Sequence, residues 1–185
     1  MRREQTQPGV RLALMFALMA GLVCPLLATA QSVSEYRVKA AYLYNFAKFV
    51  DWPADRFATA TTPIRLCVLN DSLFLAELLQ VVNGKTIAGR PMAVVPVQSA
   101  EQARSCQILF INSSQNGQTP KVIDALRDTS VLTVGETKGF VQEGGIINFV
   151  LQDDRVLFEV NHKAARQAGL SVSSRLLAVA KLVIE

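Results

Sequence analysis

The chain has 185 residues, of which 50% are hydrophobic and 18% charged, and a formal net charge of +4. That balance excludes a disordered or low-complexity protein and suits one globular domain with a full core. Its basic residues are scattered rather than gathered into a stripe, which argues against nucleic acid as a target.

The first stretch reads as an export signal. Arg2, Arg3 and Arg11 precede the apolar run Leu12 to Leu27, and Ala28-Thr29-Ala30 supplies the small residues a signal peptidase needs, so cleavage is expected before Gln31. The run is about 16 residues, short of the about 17–25 that a membrane span requires. Residues 1–30 are therefore assigned to the leader and residues 31–185 to a single exported α/β domain, expected in the periplasm. Arg2, Arg3 and Arg11 against Glu4 place +2 in the leader, leaving the domain +2 of the chain's +4. Cys67 and Cys106 both survive maturation. In an oxidising compartment, with no Cys-x-x-Cys spacing and each residue in a predicted strand, they are expected to form a structural disulfide.

The most unusual stretch runs from Val38 to Pro53, VKAAYLYNFAKFVDWP. Projected as a helix, Val38, Ala40, Tyr42, Leu43, Phe46, Ala47, Phe49 and Val50 fill an apolar arc about twice as wide as the roughly 100° one buried face needs. Ser32 with Glu35 forms a capping box for its start, and Pro53 stops it. The width predicts a helix that meets its own sheet and a second surface, with Tyr44, Phe46 and Trp52 as the contact residues for a partner protein or a second copy of the chain.

Beyond it, Ile64 to Leu69 reads as a buried strand, followed by a helix capped at Asp71 or Ser72 and ended by Asn83-Gly84. Met92 to Val95 is a strand with Pro96 near an edge. Ser99 and Gln102 open a short helix before the strand Cys106 to Ile111. Pro120 is expected at the first position of another helix, capped by Thr119, and Val131 to Val134 makes the next strand. Ile146 to Leu151 and Val156 to Val160, joined by Asp153-Asp154, form a hairpin. Two closing helices are predicted, one from the Asn161 cap to Gly169 and one from Ser173 through Val183. The fold class is α/β, a mixed, mostly parallel sheet of about six strands with helices on both faces.

The run Tyr42-Leu43-Tyr44-Asn45-Phe46-Ala47-Lys48-Phe49-Val50-Asp51-Trp52-Pro53 resembles the opening signature of the YfiR family, small periplasmic proteins that restrain a membrane-bound diguanylate cyclase. Ser105-Cys106-Gln107-Ile108-Leu109-Phe110-Ile111 fits the same family's pattern, which implies the Cys67 to Cys106 pairing as well. The further cysteine pair of some relatives, near Val141 and Asn148, is absent. The resemblance implies a non-enzymatic regulator of cyclic di-GMP and biofilm formation. Its partners would be the periplasmic domain of the cyclase, an OmpA-like outer-membrane lipoprotein that relieves the inhibition, and a second copy in a homodimer. It also points to Ile147, Glu159, Ala165 and Leu177 as an apolar pocket or inhibitory surface. Arg56 matches an anion-contacting Arg of some relatives, although Ser171 and Ser173 stand where their basic groups would be.

The residues themselves offer little for catalysis, and no cofactor or metal is expected. His162 has no companion nucleophile or ligand motif, and Asp153-Asp154 suits a turn. The glycine pair in Gly139 to Phe149 reads as a plain turn or, less simply, as a backbone cradle for an anion. A small-ligand-binding module using the cleft at the sheet's carboxyl edge is the alternative function.

Overall fold

The computed structural model describes the backbone from residue 24 and the side chains from residue 35 to the C-terminus. The leader and its cleavage before Gln31 fall on residues outside the described ones, or described only as backbone. The chain divides into two compact units after residue 35, and the second, Tyr36–Glu185, contains every strand of the described residues.

Helix α1 spans Cys24–Phe49. Its backbone passes through Ser32 without a break, so the capping box expected there is not the start of the helix. The C-terminal stop is as the sequence implies, with Val50–Asp51 (β1) extended ahead of Pro53. The buried stripe is Lys39, Ala40, Leu43, Phe46, Ala47 and Val50, a helical i, i+3, i+4 pattern. Val38, which the projection places in the arc, is exposed.

The main sheet contains β2 (Ile64–Leu69), β3 (Thr86–Ile87), β4 (Arg90–Val97), β5 (Ile108–Ile111), β6 (Leu132–Gly135), β7 (Ile147–Gln152), β8 (Arg155–Asn161) and β10 (Leu182–Ile184). Its order is β10-β8-β7-β6-β5-β2-β4-β3. Strands β4, β2, β5, β6 and β7 are parallel neighbours, and the β7–β8 hairpin and short β3 run antiparallel. All six predicted strands are present, and the sheet has eight. The additional main-sheet strands, β3 and β10, are edge pieces of two and three residues, too short to show a period in the sequence. A separate ribbon pairs β1 with β9 (Ser171–Val172). The hairpin turns on Asp153 and Asp154, both at positive φ (50° and 56°), the backbone of a two-residue turn.

One expectation fails at the C-terminus. The apolar run from Ser173 through Val183 does not stay helical: α6 covers only Ser174–Leu177, and Leu182–Ile184 adds as β10, parallel to β8. Val183, Ile184 and Leu182 gain ladder hydrogen bonds there, and β-branched residues suit a strand.

Both faces of the sheet are covered. On one, α1, α2 (Ser72–Val82) and α5 (His162–Gln167) pack over Leu66, Val68, Ile108, Phe110, Leu132 and Val134. On the other, α3 (Ala100–Ala103) and α4 (Thr119–Leu126) pack over Cys67, Leu69, Leu109 and Ile111. The alternation along β2 and β5 follows from the period of two, and burial on both sides explains why these strands are apolar throughout. Asp71 accepts from the Phe74 N–H, Ser99 from Gln102 and Asn161 from Ala164, as their positions imply. Thr119 does not cap α4; it is the first helical residue, and its hydroxyl donates to the Gln115 carbonyl.

Cys67 and Cys106 are bonded, with Cα atoms 6.0 Å apart and a sequence separation of 39. Closing a loop of that length removes about 4 kcal/mol of unfolded-chain freedom in the entropic model.

Candidate functional site

The parallel strands β4-β2-β5-β6-β7 wind outward from β2 in both directions, so the order reverses between β2 and β5. A doubly wound sheet opens a crevice at the carboxyl ends of the strands at that point. Residues following these ends are Asp71 after β2, Asn112 after β5 and Glu136 after β6. The register continues the row, with Gly135 level with Asn148 and Asn148 level with Glu159.

In this chain the crevice is filled by α1. The Tyr36 hydroxyl accepts a hydrogen bond from Asn112 Nδ2 (3.1 Å), which also donates to Asp71 Oδ2 (2.5 Å). The Tyr36 ring sits edge-on to Phe74 at 5.4 Å. One turn further, Lys39 Nζ meets Glu136 Oε2 at 2.5 Å, with the two side chains 7% and 9% exposed. Glu136 Oε1 also accepts the Ser113 N–H at 3.0 Å. Burial, aided by the Asp71 and Glu136 carboxylates, pushes the Tyr36 phenol above its ordinary pKa. None of these α1 groups stands out in the sequence as a site. The one signal is Lys39 itself, a cation inside an otherwise apolar i, i+4 stripe.

Beside the plug is a cleft of about 550 Å³ lined by Glu136, Lys138, Gly139, Gln142, Asn148, Phe149, Val150, Leu151 and Glu159. Asn148 is 2% exposed, its Nδ2 is 3.5 Å from Glu159 Oε2, and its Oδ1 is buried without a partner.

The predicted contact residues of α1 part company. Tyr44 is half-buried, with the ammonium groups of Lys48 and Lys85 over its ring at 4.1 and 4.3 Å. Phe46 is a correction: it is fully buried, packed against Phe149 and Phe158 at 5.8 and 5.1 Å, and presents nothing to a partner. Trp52 is half-buried and donates its ring N–H to the Gln107 carbonyl at 3.1 Å. Arg56 Nη2 donates to the carbonyls of Arg104 (2.8 Å) and Cys106 (3.0 Å), which ties that nitrogen to the turn that holds the cystine, while the buried Nε has no hydrogen-bond partner among the described residues.

Of the second group, Ile147 and Ala165 are fully buried core residues and form no surface, a second correction. Glu159 and Leu177 are half-buried, and of the four only Glu159 lines the cleft. The wider groove of about 580 Å³ beside α4 and α5 is lined by Ala164 and Ala168 rather than Ala165, which faces the sheet.

The glycine-rich segment is a packing device. A Cβ on Gly135 or Gly145 would fall within the ring of Phe140, which is fully buried between them. His162 Nδ1 lies 3.1 Å from Glu185 Oε2 and 3.0 Å from Arg166 Nη1, neighbours that include no nucleophile. Hydrogen bonds from His162 and Arg166 hold the Glu185 carboxyl below its ordinary pKa.

Among the described residues no helix is long and apolar enough to cross a membrane. No curated protein matches the chain. Among solved structures, it is similar to a conserved domain protein from Vibrio cholerae O1 biovar eltor str. N16961, at 13% identity and a TM-score of 0.48, covering 65% of this chain and 54% of that one. It is also similar to an ABC domain in complex with L-Trp from Streptococcus pneumoniae, again at 13% identity and a TM-score of 0.48, over 70% of this chain and 57% of the other. The chain thus spans little more than half of each. The family model described as YfiR/HmsC-like matches residues 36–181, from the Tyr36 plug to the turn before β10, and the chain belongs to that family.

Proposed function

We propose that this protein is a periplasmic regulator that binds the periplasmic domain of an inner-membrane diguanylate cyclase and holds the enzyme inactive, lowering cyclic di-GMP and biofilm formation. The observation that carries the reading is the family match over residues 36–181. The filled switch-point crevice supports it, because Tyr36 and Lys39 take the place where a doubly wound fold usually receives a small ligand.

Repression of this kind is a population shift. A regulator that moves a cyclase from almost wholly active to almost wholly inactive must bind the inactive state about 10⁴-fold more tightly, roughly 5.5 kcal/mol. The half-buried residues Tyr44, Trp52, Glu159 and Leu177 are the positions proposed to make those contacts. A homodimer through the Tyr44 side of α1, and relief by an OmpA-like lipoprotein that sequesters the regulator, complete the proposal.

Deletion of the gene tests it. Cyclic di-GMP and biofilm should rise, and complementation with Glu159→Lys should restore repression less well than the wild type at equal periplasmic abundance. Unchanged cyclic di-GMP with the cyclase expressed overturns the reading. Light scattering that shows a monomer at micromolar concentration removes the dimer alone.

A further inference from the structure

Strand β4 has one edge that the sheet leaves open. Residues 92–97 pair with β2 on the inner side, while on the outer side β3 pairs only with Arg90 and Pro91. The Met92 N–H donates to the Lys85 carbonyl, so Met92 directs its backbone N–H outward, whereas Val97 directs its carbonyl inward to the Asn70 N–H. Successive residues of a strand alternate in this respect. The Val94 N–H, the Val94 carbonyl and the Pro96 carbonyl therefore lie on the outer edge, and no strand of the described residues pairs with them. Pro96 is tolerated because its missing N–H falls on this side.

Free edges are usually guarded by charge, yet residues 92–97 carry none. Beside them runs an uncharged groove of about 390 Å³ whose apolar lining is Leu79, Val82, Met92 and Val94, with Leu79 48% exposed. The Met92 end is positive. There the Lys85 ammonium lies over the Tyr44 ring at 4.3 Å and the Arg90 guanidinium over the Phe57 ring at 3.9 Å, and neither has an ion pair among the described residues. A second copy of β4 fits this edge poorly. With Val94 opposite Val94, the second copy's Pro96 would fall opposite Met92, where Lys85 already sits. With Val94 opposite Pro96, both Val94 carbonyls are left without a donor, because Pro96 has no N–H. A strand of another sequence, with an N–H at each position, meets all three open groups.

We propose that the outer edge of β4 receives an extended segment of a partner protein, added as an antiparallel strand, apolar where it faces the groove and acidic at its C-terminal end. The residue opposite Val94 exchanges both backbone hydrogen bonds with it, and the residue two earlier donates its N–H to the Pro96 carbonyl. Both place their side chains on the Val94 face, beside Leu79 and Val82. The residue two later reaches the Met92 end, where a carboxylate meets Lys85 and Arg90. The inference does not depend on the cyclase reading.

The test is an NMR titration of the purified exported protein with the peptide acetyl-TVTVTEE-amide, whose fourth residue is meant to lie opposite Val94. The expected result is saturable shifts at the Val94 and Val95 amides and the Leu79 methyl groups. Methylating the backbone nitrogen of the fourth residue removes the donor to the Val94 carbonyl and should weaken binding at least about tenfold. Methylating the third, whose N–H points away from β4, should leave the affinity within about twofold. Replacing both peptide glutamates by lysine should weaken it at least about threefold. Val94→Pro, which deletes the outward N–H, should cost at least about tenfold. Because the peptide comparisons use the wild type, a variant that fails to fold does not block the test. The inference is overturned if the parent peptide does not saturate, if the peptide methylated at the fourth residue or the lysine version binds as tightly, or if the shifts map away from β4. It is also overturned if the Val94 amide shifts with protein concentration alone, which would place a second copy on the edge.

Discussion

Lys39 and Glu136 are the most demanding polar pair in the described fold, and their energetics can be measured directly. Each side chain is less than a tenth exposed, and the carboxylate has only one other donor, the Ser113 N–H. Lys39→Met keeps the stem that packs in the stripe but removes the charge. It leaves Glu136 desolvated with one hydrogen bond, at a cost of about 3–5 kcal/mol. Glu136→Gln keeps an acceptor for Ser113 and takes the carboxylate away from the buried Lys39 ammonium, also at a cost. The double variant restores a neutral, hydrogen-bonded site, so it should lie within about 1–2 kcal/mol of the wild type, giving a coupling energy of at least about 2 kcal/mol. Urea unfolding followed by circular dichroism supplies the numbers, provided the slope is unchanged across the set. If the two single losses simply add to within about 0.5 kcal/mol, the pair is solvated and the account of a sealed crevice is wrong.

Two further outcomes rest on the same geometry. Gly145→Ala drives a methyl group into the fully buried Phe140 ring and should cost about 3 kcal/mol, read as a lower urea midpoint; an unchanged midpoint would mean that the ring lies elsewhere. Tyr36 holds its proton more tightly folded than unfolded, so its contribution to stability is complete below the unfolded pKa of about 10 and is lost as pH rises through the raised folded value. Midpoints taken across this alkaline range should therefore fall more steeply for the wild type than for Tyr36→Phe, and parallel curves would refute the assignment.

The strands and the caps at Asp71, Ser99, Asn161 and Ser173 were legible because each depends on neighbours in sequence, whereas Ser32 and Thr119 have the same residue types but lie inside their helices. The cystine was legible for a different reason, since a chain read as exported, with two cysteines after its expected leader, has few alternatives. What could not be read was decided by contacts across the fold. Phe46 resembles a docking residue in a helix that is too apolar, yet the surplus width is used by Phe149 and Phe158 of the hairpin, more than a hundred positions later. Ile147 and Ala165 lie near Glu159 in the fold's second half but point into the core. The closing segment carried enough apolar residues for a helix, and only the free edge of β8 made a strand the better choice. At the candidate site, Asn148 is an ordinary polar residue in an apolar strand until the register sets it beside Gly135 and Glu159.

The seat of Phe140 between Gly135 and Gly145 has a spectroscopic consequence. The ring current of an aromatic side chain shifts protons packed close against it, so the α-protons of both glycines should be displaced from their usual chemical shifts in the native protein and return there on unfolding. An unlabelled proton spectrum thus carries its own gauge of whether this side of the sheet has closed.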